Sequence, residues 1–556
     1  MAAGSSASAP PPLGGAKPGA TPLRWRPCRA AVGIVLNAIA LVLFILAMLD
    51  FPLLLIKKAV LPTLVIANTP TGIAGLATPA PQSATWYVWN YTSFGPDATT
   101  IQQIPYQVTM NQYRYNISFR DGDTLVRYWT RNVYHVAPGS AAQFANDVIV
   151  QPSFLHFTML SMQRTQLIPV ALSHIANGTA GYPPLSTLTT QLNIDASKHS
   201  AFLSTFQDHD LLLSYIRGEA RTDATYQGAS YTGAGVSSDN HVAVMSFLNE
   251  CARIAMGSPP GSSTVTTTPA SLFHLFFANQ TSEAAAYKEN QYTEKFTGAD
   301  SILNLNRYNL YEGSPVVTDH QWASPEVIQG ARDFAADPFR PKTNLRLRVF
   351  DATISRVDTW VYTKPTTLAA LPLNRYKRDP STYANALANP GNAKYLMYGP
   401  RGIFNGNPQE TGAPVHLSMP HFLDGDASLS SGLAGLAPVA DLHESRVDIE
   451  PNTGLAFRGS VRFQVNVKVE AGQAAGSTLV RGAAPAAYLP LWWIDFSNAA
   501  SDAVANQVAA QLVGAVNACT SLRLIESVLA LFLVMIGTTM FKNHYQTLLA
   551  PGSSKK

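Results

Sequence analysis

The residues best suited to chemistry in this chain crowd into one stretch: His416, His421, Asp424, Asp426, His443, Glu444, Asp448 and Glu450 fall within 35 positions. Imidazoles and carboxylates at that density are the material of a divalent-metal site or a general acid–base pair. Either chemistry also requires a spacing, and none accompanies the cluster: there is no H-E-x-x-H pair, no nucleophile elbow and no phosphate-cradling Gly loop. The sequence DGD at 424–426 reads more simply as a turn, since Asp and Gly tolerate the dihedrals a turn requires. Asp448 and Glu450, inside DIEPNTG at 448–454, are expected to accept backbone or arginine hydrogen bonds that fix a corner of the fold. No catalytic residue, metal ligand or cofactor is assigned, and the chain is not expected to be an enzyme.

Strands are expected to position these residues. Val461, Phe463, Val465, Val467 and Val469 alternate with Arg462, Gln464, Asn466, Lys468 and Glu470, a period of two that predicts one buried and one wet face. Leu345, Leu347 and Val349 alternate with Arg346 and Arg348, and Tyr106, Val108 and Met110 with Gln107, Thr109 and Asn111. Half-buried strands of this kind are antiparallel, and their distance apart in sequence predicts closure by long-range pairing into a barrel or sandwich. Between them, residues 153–250 read as mainly helical, with Phe202, Phe206, Leu213 and Ile216 near helical spacing. Runs rich in Gly, Ser, Thr, Ala and Pro at 257–270 and 471–487 read as loops.

Two segments set the topology. Ala30–Leu49 is about 20 residues with Asn37 as its one polar side chain, which at 1.5 Å per residue matches a hydrocarbon core of roughly 30 Å. A cleaved signal peptide would have a shorter apolar run and a small-residue cleavage site, whereas this run ends in Met48, Leu49 and Asp50. Leu524–Phe541 is a second span. Lys17, Arg24, Arg26 and Arg29 precede the first, while Lys542, His544, Lys555 and Lys556 follow the second, so both tails are expected in the cytoplasm. The expected organisation is a tail at 1–29, a membrane helix at 30–49, an extracellular or lumenal ectodomain at 50–523, a membrane helix at 524–541 and a tail at 542–556. Sequons at Asn90, Asn116, Asn177 and Asn279 all fall in the ectodomain and are candidate glycosylation sites.

Of 556 residues, 46% are hydrophobic and only 13% charged, below the roughly 25% charge of a soluble domain. The net charge of +4 contains no long basic run, so nucleic acid is not an expected partner. Cys28, Cys251 and Cys519 cannot build a disulfide framework. One bilayer separates Cys28 from Cys519, leaving Cys251 with Cys519 as the only conceivable bridge, while Cys28 beside basic residues is a candidate palmitoylation site. Tyr545-Gln-Thr-Leu548 fits an endocytic sorting signal, and no acidic di-leucine signal precedes it. The plasma membrane is favoured over a lysosomal or endosomal membrane.

The blocks PVHLSMPHF at 414–422, GLAP at 435–438, His443, DIEPNTG at 448–454 and RFQVNV at 462–467 resemble, in order and spacing, the class B scavenger receptor family. MLDFPLLLIKKAVL after the first span, PYQVTMNQYRYNISF, YLPLWWIDF at 488–496 and the last span agree with it. Within those blocks, Pro414, Pro420, His421, Phe422, His443, Asp448, Glu450, Pro451, Gly454, Gln464 and Asn466 carry the resemblance as structural motif residues. The family's cysteine-rich stretch is replaced here by FNGNPQETGA at 404–413, so its disulfides do not carry over.

The resemblance implies two transmembrane helices flanking a mainly β ectodomain, an irregular antiparallel β-barrel with a helical apex bundle. It further implies an apex that binds ligands and a hydrophobic tunnel that passes lipid toward the bilayer. Partners would then be lipids (fatty acid, sterol or phospholipid) or lipoprotein particles, with an extracellular or lumenal protein ligand as the sorting or adhesion alternative. Arg164, Lys198, His199, His209 and Arg217 are the candidate ligand-binding cations of such an apex. A membrane-anchored hydrolase is the third reading, and it lacks a visible catalytic dyad.

Overall fold

The computed structural model describes residues 26–77, 81–94, 99–154, 157–158, 225–226, 229–230, 264–277, 291–317, 324–339, 345–405 (apart from 353, 387 and 396–398), 413–470 and 486–549. The chain divides into two compact units, residues 1–60 with 510–556, and residues 61–509.

The first unit is a pair of helices, α1 (Arg26–Met48) and the longer helix at the C-terminal end (Gly514–Leu549). Both are long and apolar enough to cross a membrane, and most of their apolar side chains face outward. No hydrophobic force brings such helices together in lipid, so close backbone approach must do so. Gly33 and Gly537 supply it: a Cβ on Gly537 would lie 2.5 Å from Asn37 Oδ1 and 2.8 Å from the Gly33 carbonyl. At one end of the pair Arg523 lies 3.3 Å from Asp50. Cys519 is a free, half-buried thiol, so the bridge to Cys251 is not made; Cys251 itself lies outside the described residues.

In the second unit the helices are short: α2 (Phe51–Leu64, shared between the units), α3 (Pro70–Ala77), α4 (Pro138–Asn146), α5 (Pro269–Phe277), α6 (Ala440–His443) and α7 (Asp502–Val508). Its strands are β1 (Gln82–Phe94), β2 (Thr99–Arg120), β3 (Leu125–Val136), β4 (Ile149–Pro152), β5 (Thr225–Tyr226), β6 (Ala229–Ser230), β7 (Thr264–Thr267), β8 (Thr293–Phe296), β9 (Tyr308–Leu310) and β10 (Val316–Val317). They continue with β11 (Glu326–Val327), β12 (Arg346–Asp351), β13 (Arg356–Leu368), β14 (Leu371–Arg378), β15 (Ile403–Asn405), β16 (Val415–Ser418), β17 (Leu433–Ala434), β18 (Arg446–Ile449), β19 (Ala456–Glu470) and β20 (Ala486–Ala499). Fourteen of them make one sheet in the order β12-β13-β14-β18-β19-β20-β1-β2-β3-β8-β9, with β16 on β19 and β15 on β16; every pairing is antiparallel except β17 along β2.

The sheet does not close as a barrel, which corrects the sequence expectation. Among the described residues its edges, β12 and β9, are not paired with each other. Instead Arg332 makes single bridges to Val349 on one side and Arg307 on the other, beside a turn at Gly330 with φ +79°. A three-residue β9 and a turn one residue away from Ala331 leave no length for a ladder, and the irregular segment blunts both edges.

Two further expectations are corrected. Three of the polar residues of β19 do not face water: Arg462, Gln464 and Asn466 are as buried as Val465 and Val467. Part of the 257–270 run is strand β7, paired with β4. The helical apex expected at 153–250 lies outside the described residues apart from a few positions.

A Gly537→Val substitution, which drives a side chain into Asn37 and Gly33, is expected to destabilise the helix pair by about 1–3 kcal/mol. Thermal unfolding of the full chain in detergent checks this, with Gly75→Ala, at a position with no atom within 4 Å, leaving the transition unchanged.

Candidate functional site

The motif residues converge where β1, β19 and β20 are buried on both faces. In an antiparallel ladder directly opposed residues share a face. Tyr87 thus lies opposite Trp493 and Gln464 opposite Trp493, while Val88 and Val465 lie opposite Trp492. One face is polar and the other aromatic.

The polar face is organised by the turn after β16. Pro420 leads into His421 and Phe422, both left-handed at φ +55°, a conformation that costs a non-glycine residue about 1–3 kcal/mol. The His421 amide offsets it by donating to Gln464 Oε1 at 3.0 Å. The turn places the His421 ring edge-on to Trp89, 4.9 Å between centroids, and stacked on His443 at 4.1 Å and 19°. His421 Nδ1 accepts from the Ala437 amide at 3.0 Å and His443 Nδ1 from the Val439 amide at 2.9 Å. An imidazole that accepts at Nδ1 and is neutral carries its proton on Nε2, and His421 Nε2 donates it to Gln103 Oε1 at 3.1 Å. The same oxygen accepts from Trp493 Nε1 at 3.0 Å. Below them Gln464 Nε2 donates to Asn466 Oδ1 at 2.8 Å, and Asn466 Nδ2 to Ser418 Oγ at 3.0 Å.

Burial, reinforced by His443, pushes His421 down to about 3; burial, reinforced by Arg462, pushes His443 down to about 4. Near neutral pH both rings are uncharged, and their Nδ1 lone pairs are already engaged. The pair holds structure and is unsuited to accept a substrate proton. Among the described residues no three His, Cys, Asp or Glu side chains converge on a metal position.

The remaining cluster members are dispersed. His416 packs edge-on to Tyr488 at 5.2 Å with Nδ1 3.3 Å from the Pro414 carbonyl. Asp424 is exposed in its turn, and Asp426 accepts from the Arg401 amide at 2.7 Å. Glu444 pairs with Lys377 at 2.8 Å. Asp448 is buried between Arg375 (2.7 Å) and Arg458 (2.5 Å); burial pushes its carboxyl up, but the hydrogen bonds from these two arginines win and hold it below the usual carboxylate range. Glu450 accepts from the Thr453 amide and Asn452 Nδ2, both at 2.7 Å, in the turn opened by Pro451. Gly454, at φ +73°, closes that turn where a Cβ would lie 2.2 Å from the Ala336 carbonyl.

The aromatic face is formed by Trp86 with Tyr106, Phe144, Phe273, Phe277 and Trp492, all 5.6–6.2 Å from it between ring centroids. Helices α4 and α5 supply the phenylalanines. Where β1 and β20 part after Val88 and Trp492, the buried Gln151 of β4 fills the gap, donating to the carbonyls of Trp89 at 2.8 Å and Leu491 at 2.6 Å. Gln151 Oε1 and the indole N–H groups of Trp86 and Trp492 make no hydrogen bond among the described residues. Such a face is apolar with a few buried polar atoms to spare.

Sequence reasoning missed Gln103, Gln151, Trp86, Trp89 and the division of labour between Trp492 and Trp493. The signal was present: adjacent tryptophans in a strand must face opposite ways, so a WW pair marks a strand buried on both sides. The apex cations Arg164, Lys198, His199, His209 and Arg217 and the sequons Asn177 and Asn279 lie outside the described residues. Asn90 is half-buried in β1 and accepts from the Val150 amide at 2.9 Å, whereas Asn116 is exposed at φ +51° on the bulge of β2. Cys28 lies in α1; Tyr545 is exposed in the last helix, which also contains Leu548.

Comparison with known proteins gives a match to the model of the CD36 family over residues 33–541. Lysosome membrane protein 2 of Rattus norvegicus is 28% identical over 210 residues, 36% of this chain and 43% of that protein. Scavenger receptor class B member 1 of Rattus norvegicus is 27% identical over 221 residues, 39% and 42% of the two chains. Lysosome membrane protein 2 of Homo sapiens is 29% identical over 178 residues, 31% and 36%. The chain thus spans less than half the length of these curated relatives.

Gln464→Leu is expected to cost about 2–4 kcal/mol because it leaves the His421 amide and Asn466 Oδ1 buried without partners. Asp448→Asn should cost about 3–5 kcal/mol by exposing two arginines to each other, and the surface control Asp426→Asn less than about 1 kcal/mol. Denaturant titration of the full chain ranks the three. In glycosylating cells, Asn116→Gln is expected to remove the mass of one glycan on gel electrophoresis.

Proposed function

The chain belongs to the CD36 family, and from that membership we propose a scavenger-receptor-like membrane receptor, not an enzyme, that binds lipids or lipoprotein particles and passes lipid through its ectodomain toward the bilayer. The observation that carries this reading is the aromatic face of β1 and β20. Trp86, Tyr106, Phe144, Phe273, Phe277 and Trp492 form one buried apolar cluster, which an acyl chain or sterol would enter by parting these side chains. The spare indole N–H groups and Gln151 Oε1 offer its polar end a partner without the penalty of stranding it in a dry core. A headgroup oxygen would satisfy the indoles, and a headgroup hydroxyl the glutamine. Membrane helices at both ends keep this ectodomain at a bilayer, the plasma membrane in the favoured reading and a lysosomal or endosomal membrane in the other.

The names of the relatives divide between a scavenger receptor and a lysosome membrane protein, which supports a second reading as a sorting receptor for a protein partner. Its recognition surface would fall on the proposed apex.

Equilibrium binding of radiolabelled oleate, cholesterol and phosphatidylcholine to the detergent-solubilised full chain tests the leading reading. Saturable binding of at least one lipid, weakened about tenfold or more by Trp492→Ala, is expected. Absence of saturable binding for all three contradicts it and favours the sorting receptor.

A further inference from the structure

We propose that the stacked His421–His443 pair is an acid-released latch on the loop 435–443. With both rings neutral, His421 ties the loop to the turn after β16 while His443, itself part of the loop, braces it from within and stacks on His421; proton uptake by the rings frees the loop.

The loop is anchored before and after this point by ladders. Leu433 and Ala434 run along Thr99 and Thr100, and β18 begins at Arg446. Between those anchors the Ala437 amide is tied across to His421 Nδ1, and the Val439 amide to Nδ1 of His443 within the loop itself. The amides of Leu442, His443 and Glu444 bond locally, to the Val439 and Ala440 carbonyls, while Arg462 of β19 donates to the Glu444 carbonyl at 2.8 Å and the Asp441 carbonyl at 3.5 Å and so holds the end of the loop next to β18. The loop is apolar on its outer side, with Val439 45% and Leu442 60% exposed, while Leu436 is half-buried beneath.

A neutral ring accepts at Nδ1; a protonated one has only donors. Protonation therefore sets N–H against N–H at both tie points and places two cations in rings 4.1 Å apart. The surroundings offer no relief. From β2, β1 and β20 the pair meets Gln103, Trp89 and Trp493, all uncharged, and from β19 it meets Gln464 and Arg462. Asp495, the acidic group that acts on His443, is engaged by Arg462 at 3.0 Å. Tyr87 of β1 is kept neutral by its burial and then by Asp495. On the loop's own side Asp441 lies 3.6 Å from Arg446, Glu444 pairs with Lys377, and Asp424 is exposed.

The closed loop excludes protons, holding the rings at about 3 and about 4 against an ordinary 6.5. The lifted loop accepts them. Below 6.5 each histidine shifts the equilibrium toward the lifted form about tenfold per pH unit, so the pair shifts it about a hundredfold, until the closed-state values are reached. Acidification would thus uncover Leu436 beside Val439 and Leu442. The inference does not depend on lipid binding.

Hydrogen exchange of the full chain in detergent at pH 7.5, 6.0 and 5.0, corrected for intrinsic rates, tests it. Protection of residues 435–443 is expected to fall by tenfold or more between pH 6.0 and 5.0 while β19 and β20 stay protected. His421→Asn with His443→Asn, which keeps an acceptor but cannot titrate, should abolish the pH response. Unchanged protection in the wild type, loss in the loop and strands together, or an equal response in the double variant each overturn the latch. Should the double variant fail to fold, the wild-type comparison of loop with strands decides alone.

Discussion

Everything in the described ectodomain depends on three neighbouring strands being buried on both sides. A strand with water on one face can leave its polar side chains unpartnered, because water serves them; around Trp89, Gln464 and Trp493 the strands β1, β19 and β20 have no such face. Each polar group on them must find a partner inside the protein or be absent. The polar side largely solves this with an exchange in which Gln464, Asn466, Ser418, Gln103, Trp493 and His421 supply one another's donors and acceptors, the Trp89 indole N–H staying outside it. His421 can enter that exchange only through a left-handed turn, so the strain of the turn and the hydrogen bond that offsets it are parts of one device.

The aromatic side solves it differently, by using few polar atoms and leaving three of them without a partner among the described residues. The contrast gives the two faces separate work. The satisfied face fixes geometry, and its neutral histidines extend that control to a loop. On the proposed function, the unsatisfied face is where a ligand would go. A receptor for amphiphiles needs both, because an acyl chain or sterol gains little from directional contacts and depends on a cavity wall whose shape something else maintains.

The terminal helices, the antiparallel strands and the family were legible in the sequence, because length, period and motif order are local properties. The arrangement of the sheet was not. Arg462, Gln464 and Asn466 look like a solvent face by alternation, and only knowing that the turn at His421 and the segment at Glu444 pack on them reverses this. The expected barrel failed for a related reason: closure depends on the edges, and Arg332 makes isolated bridges that leave no hydrophobic period to read. Within the motif, Asp448 and Glu450 were visible as acceptors by type, but their partners Arg375 and Thr453 lie at separations of 73 and 3 residues, and only the nearer can be guessed. Gln103 is 318 residues from His421, with no local signal connecting them.

Native mass spectrometry of the full chain released from detergent tests most directly whether the two faces divide structure from ligand capacity. The account predicts that a lipid stays bound to the wild-type chain and to a folded His443→Asn variant, and is lost from a folded Trp86→Ala or Trp492→Ala variant. A wild-type chain free of every lipid class, or tryptophan variants that retain lipid as well as the wild type, would contradict it.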